Sequence, residues 1–164
     1  MSDERDSFDF QLEFLKLEFN AINEVIGRLD GIAQGTKHWA IITWAGSMVL
    51  LFNTDQKRLL ALTAILPVTF WFMDAWWRSI QRSFIFRSQR ISEFLNSKRL
   101  KESFQQRRLV DFIVLDPRAS ENEGSDEHRA FTSVVRMARS RSVSWFYLGL
   151  ILLSFLIALF ANQK

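Results

Sequence analysis

Residues 143–161 read VSWFYLGLILLSFLIALFA, nineteen positions without a charge or a proline. A helix needs about 20 apolar residues to cross a hydrocarbon core of roughly 30 Å. A run so late in the chain is not expected to be a cleaved signal peptide. It changes the solvent against which the remaining residues must be read. Two earlier runs, Trp39–Phe52 and Leu59–Trp77, then read as membrane helices as well. The first has fourteen residues. At ~1.5 Å per residue it covers about 21 Å, so it must draw on flanking residues, thin the bilayer or re-enter. The second is long enough, and the link 53–58 between them fits a tight helical hairpin.

Charge is unevenly spread along the 164 residues. Residues 1–37 carry eight acidic and four basic side chains, whereas residues 78–141 carry fourteen basic and eight acidic ones. The hairpin link has two Lys or Arg residues and the C-terminal tail has only Lys164. Basic residues concentrate on the cytoplasmic side of membrane proteins. That rule puts the N-terminus and the central segment in the cytoplasm and the C-terminus outside a cell membrane, as in a bacterial inner membrane. Trp39, Trp76, Trp77, Trp145 and Tyr147 fall at the cytoplasmic ends of the runs, where amphipathic rings favour the headgroup level.

Phe8, Leu12, Leu15, Phe19, Ile22, Ile26 and Leu29, followed by Ala33, recur in alternating steps of four and three. This is the a/d stripe of a coiled coil and predicts an oligomerisation seam. A second stripe, Phe10, Phe14, Leu17 and Ala21, covers only the first half of the arm and suits a helix with more than one neighbour. Ser7 reads as an N-cap, and Gly31 and Gly35 as a break before the membrane. From Ala75 the helix of the second span is expected to continue as a basic stalk. Arg78, Arg82, Arg87 and Arg90 on it are expected to face anionic headgroups or a phosphate-bearing ligand. Asn96-Ser97 marks a break before a short helix. The stretch 109–115, LVDFIVL, reads as a strand or a buried helix end, closed by Asp116-Pro117. Residues 116–128 read as a mobile loop, and residues 128–141 as a helix feeding the last span.

Catalytic signatures are missing. The sequence contains no Walker loop, GxGxxG, GxSxG or HExxH. Cysteine is absent, and His38 and His128 lie ninety positions apart, so neither a disulfide framework nor a metal set is expected. No cofactor is implied. Asp74 is the one acid within a span and stands four residues before Arg78, its expected partner. Pro67 predicts a kink in the second span, and Ser154 with Ala158 a close helix contact.

These readings predict an all-α integral membrane protein with three transmembrane helices. An N-terminal cytosolic coiled-coil helix precedes them, and a mostly helical cytosolic segment separates the second span from the third. The segments are a 1–37 arm, a 38–77 hairpin, a basic segment 78–141 and a third span 142–162. The expected partners are the lipid bilayer, a second copy of the chain and a cytosolic protein, with no specific nucleic acid. The expected role is an oligomeric anchor or scaffold without catalytic activity. In outline the chain resembles small prokaryotic membrane effectors, from which its third span departs. The alternative role is a signal-gated membrane-permeabilising effector or small channel, in which copies joined by the arm surround a pore and the basic segment acts as sensor.

Overall fold

The computed structural model describes residues 2–53, 57–114 and 125–162, and every regular element among them is helical. Helix α1 spans Ser2–Phe52, α2 spans Ile65–Leu95, α3 spans Lys98–Gln106, α4 spans Asp126–Thr132, α5 spans Val134–Ala138 and α6 spans Arg141–Asn162. A 3-10 helix, Lys57–Ala64, leads into α2.

Helix α1 differs from its expected form at both punctuation marks. It starts at Ser2, so Ser7 lies inside it, and it runs through Gly31 and Gly35 without a break. A helical glycine costs only about 1 kcal/mol relative to alanine. Across the glycines the buried stripe continues unbroken as Leu29, Ala33, Thr36, Ala40, Trp44 and Met48. Packing along that stripe outweighs two unfavourable residues. Pro67, expected in the middle of a helical span, falls instead near the start of its α-helix. It sits in the first turn of α2, where its missing N–H is least needed, and the chain is a 3-10 helix just before it. The helix expected over 128–141 is divided. Ser133 ends α4 and caps α5, its hydroxyl accepting the Arg136 N–H at 3.5 Å.

Residues 109–114 form neither strand nor helix. Arg107 and Asp111 adopt left-handed backbone with φ of 54° and 50°. The Leu109 N–H donates to Gln11 Oε1 at 3.3 Å and the Val110 N–H to Ser103 Oγ at 3.0 Å. Side chains thus supply the acceptors that a second strand would have offered. Asp116-Pro117 and most of the expected loop lie outside the described residues. The end of that loop, from Asp126, is the start of α4.

The chain divides into two compact units that cut across the segments expected from the sequence. The first joins Met1–Leu29 to Ile80–Thr132. Its core is Leu15, Ile22, Ile91 and Phe94, surrounded by Phe19, Ile26, Phe84, Leu100, Leu109 and Phe112. Helix α4 leans on α2 through Phe86, whose ring meets His128 at 5.3 Å and Phe131 at 5.8 Å.

The second unit joins Asp30–Ser79 to Ser133–Lys164. Three helical segments pack there in up–down–up order. Contacts of α1 with α6 run in parallel register, from Lys37 on Ser142 through Trp44 on Ser154 to Met48 beside Ala158 and Ala161. The segment between them runs the opposite way, with Asp74 opposite Lys37 and Leu60 beside Met48. Two helical stretches, Leu59–Leu95 and Asp126–Ala161, are long and apolar enough to cross a membrane. The apolar end of α1 falls short of that length by itself.

Candidate functional site

Asp74 is fully buried in the second unit, and three helices converge on it. Lys37 of α1 brings its Nζ to 3.7 Å from Oδ2. Tyr147 of α6 donates its hydroxyl to the same oxygen at 3.4 Å. Arg78, one turn further along α2, holds Nε 3.8 Å from Oδ1 and Nη1 3.6 Å from Asp30 Oδ1. The cluster therefore carries two cations and two carboxylates. Lys37 also donates to the Ser142 carbonyl at 3.1 Å and lies over the Phe146 ring at 5.9 Å. Beside it the Trp71 indole donates to the Ala138 carbonyl at 2.9 Å. Ala40, Val143 and Tyr147 form the apolar wall of the site.

The arrangement ties helices together through charge. Oδ1 of Asp74 and Nε of Arg78 face each other without a hydrogen bond to any group. Both cations face the one buried carboxylate, so removing any of the three side chains leaves the others short of a partner. Among the described residues no three His, Asp or Glu side chains gather as a metal site.

A second buried pair lies in the other unit. Arg87 and Glu18 meet in a bidentate contact, Nε to Oε1 at 2.8 Å and Nη2 to Oε2 at 3.3 Å. Arg87 also donates to the Ile113 carbonyl, and its guanidinium covers the Phe112 ring at 4.6 Å. Phe112 in turn stacks on Phe94 at 4.4 Å. The pair pins the irregular stretch 109–114 onto α1 and α2.

The expected headgroup arginines are thus largely engaged inside the molecule. Arg87 is buried, Arg78 belongs to the Asp74 cluster and Arg90 pairs with Glu93 at 3.4 Å. Arg82 lies over the Phe131 ring at 5.0 Å. The expected seam is engaged too. Phe8, Leu15, Ile22 and Leu29 are buried and Leu12, Phe19 and Ile26 half-buried. Leu15, Phe19, Ile22 and Ile26 join the core of the chain's own unit, and Phe8 meets Phe104 edge to face at 5.4 Å. The second stripe faces outward, with Phe10 59% and Leu17 55% exposed.

The sequence reading found Asp74 and Arg78, missed Lys37, Asp30 and Glu18, and set Tyr147 at the headgroup level, whereas it is fully buried against Asp74; the missed side chains come from other helices. Two of these left a signal. Glu18 interrupts the stripe between Leu15 and Ile22 at core spacing, and Arg87 does the same between Phe84 and Ile91. An acid and a base at core positions of two helices are natural partners. Lys37 stands beside the stripe once that stripe is carried past Ala33 to Ala40. No protein family, curated protein or solved structure matches this chain.

Proposed function

We propose that the chain is a three-span membrane anchor that holds a helical module at the cytoplasmic face and acts by binding, not catalysis. The observation that carries this reading is the inverted second unit. Its outer surface is apolar, as at Leu50, Phe72, Leu152 and Phe160, while Thr36, Thr63, Asp74 and Ser154 are buried. Water-soluble proteins rarely expose contiguous apolar patches beyond a few hundred Å². A hydrocarbon solvent demands the opposite, with polar groups paired inside.

Three further features support it. Hydroxyls in the apolar segments donate to carbonyls of their own helices: Ser47 to Thr43, Thr69 to Ile65 and Ser154 to Leu150. That is how a hydroxyl is satisfied where no water is present. Trp39, Trp76 and Trp145 are exposed, one per helix, each two or three residues from the Lys37, Asp74 and Ser142 contacts. They form an aromatic collar of the kind found at headgroup level. Finally, α1 accompanies α6 as far as Ala161. A bilayer that takes up α6 must therefore take up residues 39–52 of α1.

The Lys and Arg distribution orients the anchor with its N-terminus cytoplasmic and its C-terminus outside the cell membrane. The cytosolic module then offers partners its exposed Phe10 and Leu17 face and the basic helix α3. Fusing a phosphatase that works only outside the cytoplasm to Lys164 should give activity, and fusing it after Ser97 should not. The reverse pattern overturns the orientation, and release of the chain from membranes by alkaline carbonate overturns the anchor itself.

A further inference from the structure

We infer that Arg136, Arg139 and Arg141 form a contact surface for the phosphodiester headgroups of anionic phospholipids. The inference rests on the membrane reading and gives that reading a lipid class. It starts from a contrast among the arginines. Three of the stalk spend their charge inside the chain, Arg87 on Glu18, Arg78 on Asp74 and Asp30, and Arg90 on Glu93, while Arg82 covers the Phe131 ring. Arg136, Arg139 and Arg141 are exposed and meet no acidic side chain among the described residues.

Register along α6 supplies the second argument. Arg141, Trp145, Leu148, Leu152 and Leu159 follow helical steps on one face, and all are exposed. Along that face the chain passes from guanidinium to indole to aliphatic side chains. A leaflet passes in the same order from phosphate through the interface to hydrocarbon. Trp145, 73% exposed, is the marker of the middle layer. Outward faces of the other two helical segments carry a tryptophan at this level without an arginine one turn before it: residue 35 precedes Trp39, and residue 80 follows Trp76. The charged layer belongs to the α5–α6 corner.

The corner is held in place before any lipid arrives. The Ala138 carbonyl accepts from the Trp71 indole at 2.9 Å and the Ser142 carbonyl from Lys37 at 3.1 Å. Arg139 donates its backbone N–H to Val135 and Ser140 to Met137, closing the turn between α5 and α6. The arginines therefore project from a fixed backbone, and only their side chains lose freedom on contact.

The test uses the full chain in nanodiscs of phosphatidylcholine containing one part in five phosphatidylglycerol. Lipid retained after gentle release is counted by native mass spectrometry. Enrichment of phosphatidylglycerol over its bulk share is expected. Each surface cation favours anionic lipid by about fivefold, so R136Q/R139Q/R141Q should lower the ratio of retained phosphatidylglycerol to retained phosphatidylcholine at least tenfold. R136K/R139K/R141K should keep most of it, and so should R82Q/R90Q. Equal enrichment in the triple glutamine variant overturns the inference, as does equal loss in the triple lysine variant. Carbonate extraction of each variant is scored separately. A chain that retains no lipid and is extracted from the membrane fails the anchor reading, whereas one that stays inserted without lipid preference fails only this inference.

Discussion

Both units bury an acid–base contact, but they surround it differently. Around Glu18 and Arg87 lies an apolar core whose exterior mixes charged side chains such as Glu13 and Glu24 with exposed Phe10 and Leu17. Around Asp74 lies a bundle whose exterior is apolar and whose buried residues include hydroxyls. The same two helices, α1 and α2, serve both units. One helix can therefore change its exposed face along its length without changing its secondary structure. What changes is which face carries the apolar residues. In α1 the buried stripe keeps its phase from Phe8 to Met48, while the opposite face turns from Glu13 and Glu24 to Ile42 and Val49.

The comparison is most sharply tested at Arg87. Its replacement by methionine leaves Glu18 buried without its bidentate partner. Breaking a buried pair from one side costs about 3–5 kcal/mol. We expect R87M to lower the unfolding free energy of the first unit in urea by that amount, and E18L/R87M to recover most of it. Measurement is by circular dichroism of the full chain in mild detergent. A loss no greater than that of E24Q, which removes the exposed Glu24–Arg28 pair worth about 0.3–0.5 kcal/mol, would break the distinction between buried and surface charge.

Next in size is the stripe itself. Ile22 is 1% exposed in the core of its own unit, so I22A should cost about 2–5 kcal/mol and leave the particle mass unchanged. F10A/L17A should do the reverse, with little effect on stability and a loss of any larger particle or captured partner. A smaller particle from I22A at unchanged stability would return the heptad to a seam between copies.

Why the sequence revealed one unit better than the other follows from these residues. Apolar length is read directly, because Val143–Ala161 runs nineteen residues without a charge and lies in a helical stretch long and apolar enough to cross a membrane. Helical periodicity exposed α2 from its first turn to Leu95 and the break at Asn96-Ser97. It could not say what covers a stripe. A heptad looks the same whether its partner is a second chain or, as here, Ile91 and Phe94 of the same chain. The stretch 109–114 was illegible for another reason. Its β-branched composition favours a strand, but its amides find Gln11 and Ser103, which no local pattern announces. The Asp74 cluster was half legible. Arg78 lies within one turn, whereas Lys37 and Tyr147 arrive from helices tens of residues away.

Asp74 itself gives a smaller effect than Arg87. Its cations Lys37 and Arg78 each keep about a quarter of their surface exposed, so they can turn outward when the carboxylate goes. D74N should therefore cost about 1.5–3 kcal/mol, the range of one hydrogen bond to a charged group. The readout is thermal unfolding in micelles, followed by the fluorescence of the bundle tryptophans. Equality with R87M would mean that the bundle confines Lys37 and Arg78 as tightly as a water-soluble core.

The smallest expected effect separates the two solvents most directly. Trp44 donates its indole N–H to Ser154 Oγ at 2.8 Å, deep in the second unit. In a water-soluble core, orphaning a buried donor costs about 1–3 kcal/mol, because the unfolded chain is hydrated. In a bilayer the separated helices have no such water to return to, and the unfolded helices find other partners. Interhelical hydrogen bonds there average about 0.6 kcal/mol. The cycle of W44F, S154A and the double variant removes the packing loss of each single change and leaves the coupling. We expect that coupling near 0.6 kcal/mol, measured by reversible unfolding in mixed micelles. The Ser154 hydroxyl already donates to the Leu150 carbonyl, so S154A disturbs the helix little and the cycle reads the indole bond. A coupling above about 2 kcal/mol would belong to a water-soluble core and would set the second unit beside the first.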